Sequence, residues 1–289
     1  MAAPYDEAKL QRLLSRVGEL PAVPTVIKEL DSMIEDPKTT ADDLSDLLST
    51  DPGLGSKIVR MANSPFYGIP RKVTQLPHAI SLLGFNVIRN IALSAFMLRI
   101  FDSQRITFDP KKFWLHCIAT GAGCRAIGTH LRVQGTDDLF LLGLLHDMGK
   151  LVIAQHSQVN YAQIVPRTLA GGQVLAEVET EMLGFNHCNV GGYLANHWQF
   201  PPVIRDIIEN HHTPDQAEFR DIVTTVHFAD IFARALQLGM HEDQRLPYRS
   251  GEDWTFIGGK PEDVGPVMDL IIKDMKNSNA VMDLFSNPN

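Results

Sequence analysis

The chain has 289 residues, with 26 Lys and Arg against 34 Asp and Glu, a formal net charge of −8 and 44% hydrophobic residues. That is ordinary globular composition, and a chain this long buries about 75% of its unfolded surface without needing a disulfide or metal to fold. The net acidity argues against broad nucleic-acid binding by phosphate neutralisation, and three cysteines with no C-x-x-C pair fit a reducing cytosol better than a secreted disulfide framework.

The first 14 residues lack the apolar core of a secretory signal. Apolar runs such as 91–98 and 139–145 fall far short of the roughly 18–20 residues that span a bilayer. The expectation is a soluble, cytoplasmic protein.

Helical periodicity then dominates in chain order, and no convincing alternating strand is present. Residues 23–35 place Val23, Ile27, Leu30 and Ile34 on one stripe. Thr40, followed by Asp42 and Asp43, predicts a cap with acids in the first turn of a helix over 42–49. Asp51-Pro52-Gly53 ends that helix, and the next, 55–62, stops at Asn63-Ser64-Pro65. Helices over 77–83 and 86–100 complete a helical unit reaching residue 108. After Asp109-Pro110 come helices over 111–131, 137–156, 162–183, 187–197, 202–212 and 221–238, and, past a polar stretch, a last amphipathic helix over 264–285. The fold class read from this pattern is all-α, as two helical lobes, 1–108 and 109–240, with a C-terminal extension over 241–289.

Charge is uneven. Residues 51–105 hold Lys57, Arg60, Arg71, Lys72, Arg89, Arg99 and Arg105 against Asp51 and Asp102, a local excess of five positive charges in an acidic chain. Solvated helix faces explain this, and so does a docking surface for an acidic protein or an anionic ligand.

The strongest chemical signal is Leu139-Phe-Leu-Leu-Gly-Leu-Leu-His146-Asp147-Met-Gly-Lys150. An all-round apolar helix belongs in the interior, and burying His146, Asp147 and Lys150 at its end is costly unless they pair or bind a metal. Asp147 and Lys150 stand i, i+3 and can pair. On neighbouring helices, His116 shares a stripe with Phe113 and Thr120, His211 with Ile204, Ile207 and Ile208 (His212 lies about 100° round), and Asp230 with Val223 and Val226. His187 opens a helix whose Val190, Gly191 and Leu194 admit close packing.

Each residue has a plainer role available: His211 or His212 as a helix C-terminal cation, Asp230 as a partner of Arg234. Jointly, His116, His146, Asp147, His187, His211, His212 and Asp230 on the inward faces of five helices predict one convergent cluster. His78, His130, His156, His197, His227 and His241 lack this pattern and read as structural or surface residues, and the thiols Cys117, Cys124 and Cys188 as core packing.

His116, the His146-Asp147-x-x-Lys150 motif and Asp230 resemble the H…HD…D plan of the HD superfamily of metal-dependent phosphohydrolases, and His187 with His211-His212 resembles the additional ligands of its HD-GYP branch. In the first half, Leu20-Pro-Ala-Val-Pro24, Asp51-Pro-Gly-Leu54, Ala62-Asn-Ser-Pro-Phe-Tyr-Gly68 and Ala79-Ile-Ser-Leu-Leu-Gly84 resemble the HDOD (HD-related output domain) family. The similarity covers about residues 15–235.

That resemblance implies a bacterial signal-transduction output module acting through protein interaction. Its partner would dock on the basic residues Lys57, Arg60, Arg71, Lys72 and Arg89. It also implies a dinuclear divalent-metal centre, one ion held by His116, His146, Asp147 and Asp230, the other by bridging Asp147 with His187, His211 and His212. Imidazole and carboxylate donors suit iron, manganese, nickel or zinc better than magnesium or calcium. The alternative implication is a metal-dependent phosphohydrolase acting on a nucleotide or phosphoester, with Asp147 and Lys150 catalytic and Lys150 balancing phosphate charge. Here His211-His212 runs into Thr213-Pro-Asp-Gln-Ala-Glu-Phe219 rather than the Gly-Tyr-Pro segment of HD-GYP enzymes, which speaks against cyclic di-GMP as substrate.

Overall fold

The structure, a computed structural model, describes residues 5–16, 25–64, 67, 69–100, 106–133, 139–157, 159, 161–240 and 251–276. Among these residues the chain is helical throughout, with no strand. The helices are α1 (Glu7–Arg16), α2 (Thr25–Glu35), α3 (Ala41–Ser49), α4 (Pro52–Ala62), α5 (Leu76–Leu83), α6 (Phe85–Ile100), α7 (Pro110–Leu131) and α8 (Leu139–Leu145). They continue with α9 (Met148–His156), α10 (Tyr161–Gly171), α11 (Leu175–Leu183), α12 (His187–His197), α13 (Pro202–Asn210), α14 (Arg220–Ala235), α15 (Gly251–Phe256) and α16 (Val264–Met275). The all-α expectation is met. Parts of three expected helices, residues 23–24, 137–138 and 277–285, lie outside the described residues.

Two compact units emerge, one from Pro21–Ile100 with Lys273–Asn289, the other from Met1–Leu20 with Phe101–Ile272. The sequence grouped α1 with the first lobe; in the structure it belongs to the second unit. In the first unit, Thr40 accepts the Asp43 N–H while the Asp43 carboxylate accepts the Thr40 N–H, a capping box that starts α3. Asp51 caps α4 by accepting the Leu54 N–H, with Pro52 at the position that needs no donor. Ile27, Leu30, Leu44, Leu48, Ile58, Ile80, Ile88 and Ile91 are buried, each contributing about 1.5–3 kcal/mol.

The basic cluster is smaller than the charge count implied. Lys57 is only 5% exposed, sharing the buried side of α4 with Leu54, Ile58 and Met61, and Arg89 faces Asp31 at 4.0 Å. Arg60, Arg71 and Lys72 are exposed. No single helix among the described residues is long and apolar enough to cross a membrane, and α5 with α6 reaches that length only across a 116° bend.

In the second unit, α7 begins at Asp109, whose carboxylate accepts the Lys111 and Lys112 N–H groups. It is buried over most of its surface from Phe113 to Gly128, only Trp114, Leu115 and Arg125 being partly exposed, with α8 and α14 packed on it. Glycines permit the approach: a Cβ on Gly143 of α8 would lie 2.7 Å from the Gly121 nitrogen of α7. On α9, a Cβ on Gly149 would strike the His187 carbonyl and lie 2.8 Å from the Gly191 nitrogen of α12. These notches draw together the helices that carry the cluster.

The helix expected over 137–156 is two helices, broken at His146-Asp147. Asp147 stands at the N-cap of α9 with φ −98° and ψ 13°, and its side chain caps nothing. The break frees both side chains from the helix surface and turns them inward. The helix expected over 162–183 is likewise two, separated where Gly172 adopts φ +57°, a conformation that glycine takes at little cost.

Candidate metal centre

His116 comes from α7, His146 and Asp147 from the break between α8 and α9, Lys150 from the first turn of α9, His187 from the start of α12, His211 and His212 from the end of α13, and Asp230 from α14. The structure brings all of them together. His116, His146, Asp147, Lys150, His187, His211 and Asp230 are buried, and His212 is partly exposed.

Asp147 is the hub. Its Oδ2 lies 2.7 Å from Lys150 Nζ, 3.2 Å from His146 Nε2 and 3.5 Å from His116 Nε2. Its Oδ1 lies 3.4 Å from His187 Nε2 and 3.6 Å from His211 Nε2. Asp230 Oδ1 is 3.1 Å from His116 Nε2 and accepts the Arg234 Nε–H at 2.8 Å. Pairing with Arg234, the plainer role, thus coexists with a place in the cluster.

The imidazoles are aimed by acceptors behind them. His146 Nδ1–H donates to Gly143 O at 2.6 Å, and His211 Nδ1 lies 3.2 Å from the Ile207 and Ile208 carbonyls. His187 Nδ1–H donates to Glu179 Oε2 at 2.6 Å. Carbonyls and carboxylates only accept, so the proton sits on Nδ1 and each Nε2 turns to the centre. Glu179 is itself fixed, accepting the Tyr161 hydroxyl at 2.5 Å and the His187 N–H at 2.9 Å. A carboxylate behind an imidazole is the arrangement that orients metal-binding histidines.

The His211-His212 loop is held in the same way. Asp206 accepts Asn210 Nδ2–H and Phe219 N–H, both at 2.7 Å, and His227 Nδ1–H donates to His211 O at 2.7 Å.

Burial and facing charges shift the donors in both directions. Burial opposes ionisation of Asp147, but His146 and Lys150 beside it outweigh burial and hold its carboxyl well below the usual range. Burial is likewise outweighed at Asp230 by Arg234 and His116. Burial and neighbouring imidazoles push His211 and His212 well down, leaving them neutral. At His116 and His187 burial is outweighed instead by facing carboxylates, Asp147 and Asp230 for the first and Glu179 for the second, and both are raised. His187 Nε2 lies 3.0 Å from His212 Nε2.

Protons do not satisfy the cluster. Among the described residues, the buried His116 Nε2, His146 Nε2 and Asp147 Oδ1 have no hydrogen-bond partner of acceptable geometry. Stranding such atoms costs about 1–3 kcal/mol each. A cation fits these donors. Two groups of side chains bring one potential ligand atom each within 4.8 Å of one another: His116, His146 and Asp147, and His187, Cys188, His211 and His212.

A cleft of about 460 Å³ reaches this second group, lined by His212, Cys188, Asn189, Tyr193, Asn196, Arg205 and Glu209 among others. Glu179, Tyr161 and Asp206 were not legible in the sequence as supports. Cys117, Cys124 and Cys188 are all buried, and Cys188 Sγ also lies 3.9 Å from the His211 ring nitrogens.

The family profile described as HDOD domain matches residues 20–214. The chain belongs to the HDOD family. That match contains every member of the cluster except Asp230. An uncharacterized protein of Treponema pallidum (strain Nichols) is 26% identical over 245 residues, which are 82% of this chain and 45% of that protein, so the chain spans less than half of that relative.

Among solved structures, an HDOD domain protein of unknown function from Geobacter sulfurreducens superposes with a TM-score of 0.72 at 23% identity, covering 98% of this chain and 97% of the other. A candidate phosphohydrolase from Shewanella amazonensis gives 0.70 at 23% identity, covering 93% and 97%. A candidate signal transduction protein from Marinobacter aquaeolei gives 0.76 at 19%, covering 97% and 65%. At these identities the likenesses establish the HDOD fold.

Proposed function

We propose that this HDOD chain is a signalling module whose second unit holds two divalent metal ions. His116, His146, Asp147 and Asp230 would hold one, and Asp147 with His187, His211 and His212 the other. The observation that carries this reading is the convergence of imidazole Nε2 atoms from four elements on the two oxygens of one buried aspartate, with Nδ1 of His146 and His187 tied back by acceptors. The donor set suits iron, manganese, nickel or zinc. Exposed Arg60, Arg71 and Lys72 support docking of an acidic partner protein.

The test is elemental analysis of protein purified without chelator, beside Asp147→Ala. Two metals per chain, lost in the variant, support the reading, and a metal-free parent overturns it. Reversing Arg71 and Lys72 to Glu abolishes partner capture while leaving metal content intact; capture that survives overturns the docking half.

A second reading, a metal-dependent phosphohydrolase, is favoured by the cleft that reaches His212, whose volume falls in the ordinary range for small-molecule sites. When bound, a metal pair supplies Lewis acidity to a phosphoester and clamps the oxygens of an in-line displacement. Lys150 holds the Asp147 carboxylate in place at 2.7 Å and places a cation beside the site where phosphate charge would gather. Arg205 at the cleft wall offers a planar fork for a phosphate. Glu179 fixes the His187 ring, and His116, His146 and Asp147 lie buried behind the cleft. Turnover of nucleotides or phosphoesters that vanishes in Asp147→Ala selects this reading over the first.

A further inference from the structure

Cys188 occupies a place that core packing does not explain. It stands in the first turn of α12, next to His187, and its Sγ lies 3.9 Å from the ring nitrogens of His211. One donor atom from each of His187, Cys188, His211 and His212 falls within a single 4.8 Å neighbourhood. His187 Nε2 is 3.0 Å from His212 Nε2 and 3.4 Å from His211 Nε2, so the nitrogens already crowd one point. Cys188 and His212 also line the 460 Å³ cleft, which gives an ion a path to the sulfur.

The geometry points to Cys188 as a sulfur ligand: together with His187, His211, His212 and the bridging Asp147 carboxylate it makes this half of the centre a thiolate-bearing site for zinc, cobalt(II) or ferrous iron rather than manganese or magnesium. The inference rests on the reading that the imidazole cluster holds a metal. As the sulfur–metal bond forms, the S–H proton leaves to solvent and no electron is transferred. Thiolate is a soft donor and selects against the hard, oxygen-seeking ions. The two halves therefore differ in preference, the His116 side having only nitrogen and oxygen donors and this side having sulfur.

The experiment titrates the full chain, stripped with chelator, with cobalt(II) and reads the near-ultraviolet sulfur-to-cobalt charge-transfer band alongside the visible ligand-field bands. The parent shows both, and Cys117→Ser and Cys124→Ser keep both. Cys188→Ser loses the charge-transfer band, keeps visible bands from the remaining nitrogen donors, and binds zinc at least about tenfold more weakly, the lower end of what loss of even an outer-sphere partner costs. Manganese binding does not change.

In the parent itself, stoichiometric zinc protects Cys188 from alkylation, a measurement that needs no variant to fold. Ligand-field bands without a charge-transfer band in the parent, or a band that survives in Cys188→Ser, overturn the inference and leave the metal centre standing. The absence of both kinds of band, with Cys188 alkylated equally with and without zinc, overturns the centre and the inference together.

Discussion

Removing Glu179 tests whether the centre depends on the support behind it. The carboxylate is fully buried and accepts three hydrogen bonds, from Tyr161 O–H at 2.5 Å, His187 N–H at 2.9 Å and His187 Nδ1–H at 2.6 Å. Glu179→Ala takes the acceptor from all three donors at once. A buried donor losing its acceptor costs about 1–3 kcal/mol, with the upper part reserved for partners of a charged group. Water entering the vacated space recovers part of this, so the expected loss is about 3–5 kcal/mol.

At about 2–4 °C per kcal/mol for a chain of this size, the midpoint should fall by roughly 10 °C. The assay is denaturant and thermal unfolding of the metal-free protein, each followed by circular dichroism. Tyr161→Phe, which removes one donor and leaves the carboxylate in place, should cost only about 1–2 kcal/mol. The double variant should cost less than the sum, because the two residues share a bond. A loss below 1 kcal/mol for Glu179→Ala, or strict additivity with Tyr161→Phe, would refute the claim that this relay positions His187.

Gly149→Ala puts a methyl against the His187 carbonyl and 2.8 Å from the Gly191 nitrogen; overpacking there should cost about 1–3 kcal/mol and weaken metal uptake, and a neutral result in both would contradict the packing argument. Burial raises the Asp31 carboxyl despite Arg89 4.0 Å away. A carboxyl raised on folding is held more tightly as the acid, so its penalty is absent below the ordinary carboxylate range and present once pH exceeds the raised value. Asp31→Asn should therefore be neutral or stabilising at pH 7, by less than about 1 kcal/mol because the side chain is partly solvated, and a destabilised variant at that pH would contradict the sign. Cys117 and Cys124 are fully buried, and burial holds the Cys124 thiol up; both should resist alkylation in the folded protein and react in denaturant, as counted by mass spectrometry.

Much of the centre was legible because a polar residue on an apolar stripe is conspicuous. His116, His211 and Asp230 declared themselves through helical spacing, and the His146-Asp147 pair through the cost of burying it beside Leu139–Leu145. The break between α8 and α9 was not legible: the apolar run continues through Leu151, Val152 and Ile153 in helical register, with no proline or cap to stop it, and tertiary convergence imposes the turn. Gly171-Gly172 did carry a stop signal that the periodicity of 162–183 masked.

Glu179 sits in sequence between Glu177 and Glu181 and looks like one more surface acid; only folding reveals that it alone is turned inward, against Tyr161 and His187. Lys57 fails in the opposite sense, since a count of charges ignores that it shares a face with Leu54, Ile58 and Met61. α1 was not read from the sequence, although the spacing of Leu10, Leu13 and Leu14, all buried, carries it.

The central claim is that one buried aspartate joins two metal positions. Anomalous diffraction from crystals grown without chelator, collected above the absorption edges of iron, nickel and zinc and with a manganese soak as a further data set, tests it most directly. The account requires two peaks flanking Asp147, one among His116, His146 and Asp230 and the other among His187, His211 and His212. A map without a peak at either position after soaking with each ion would contradict it.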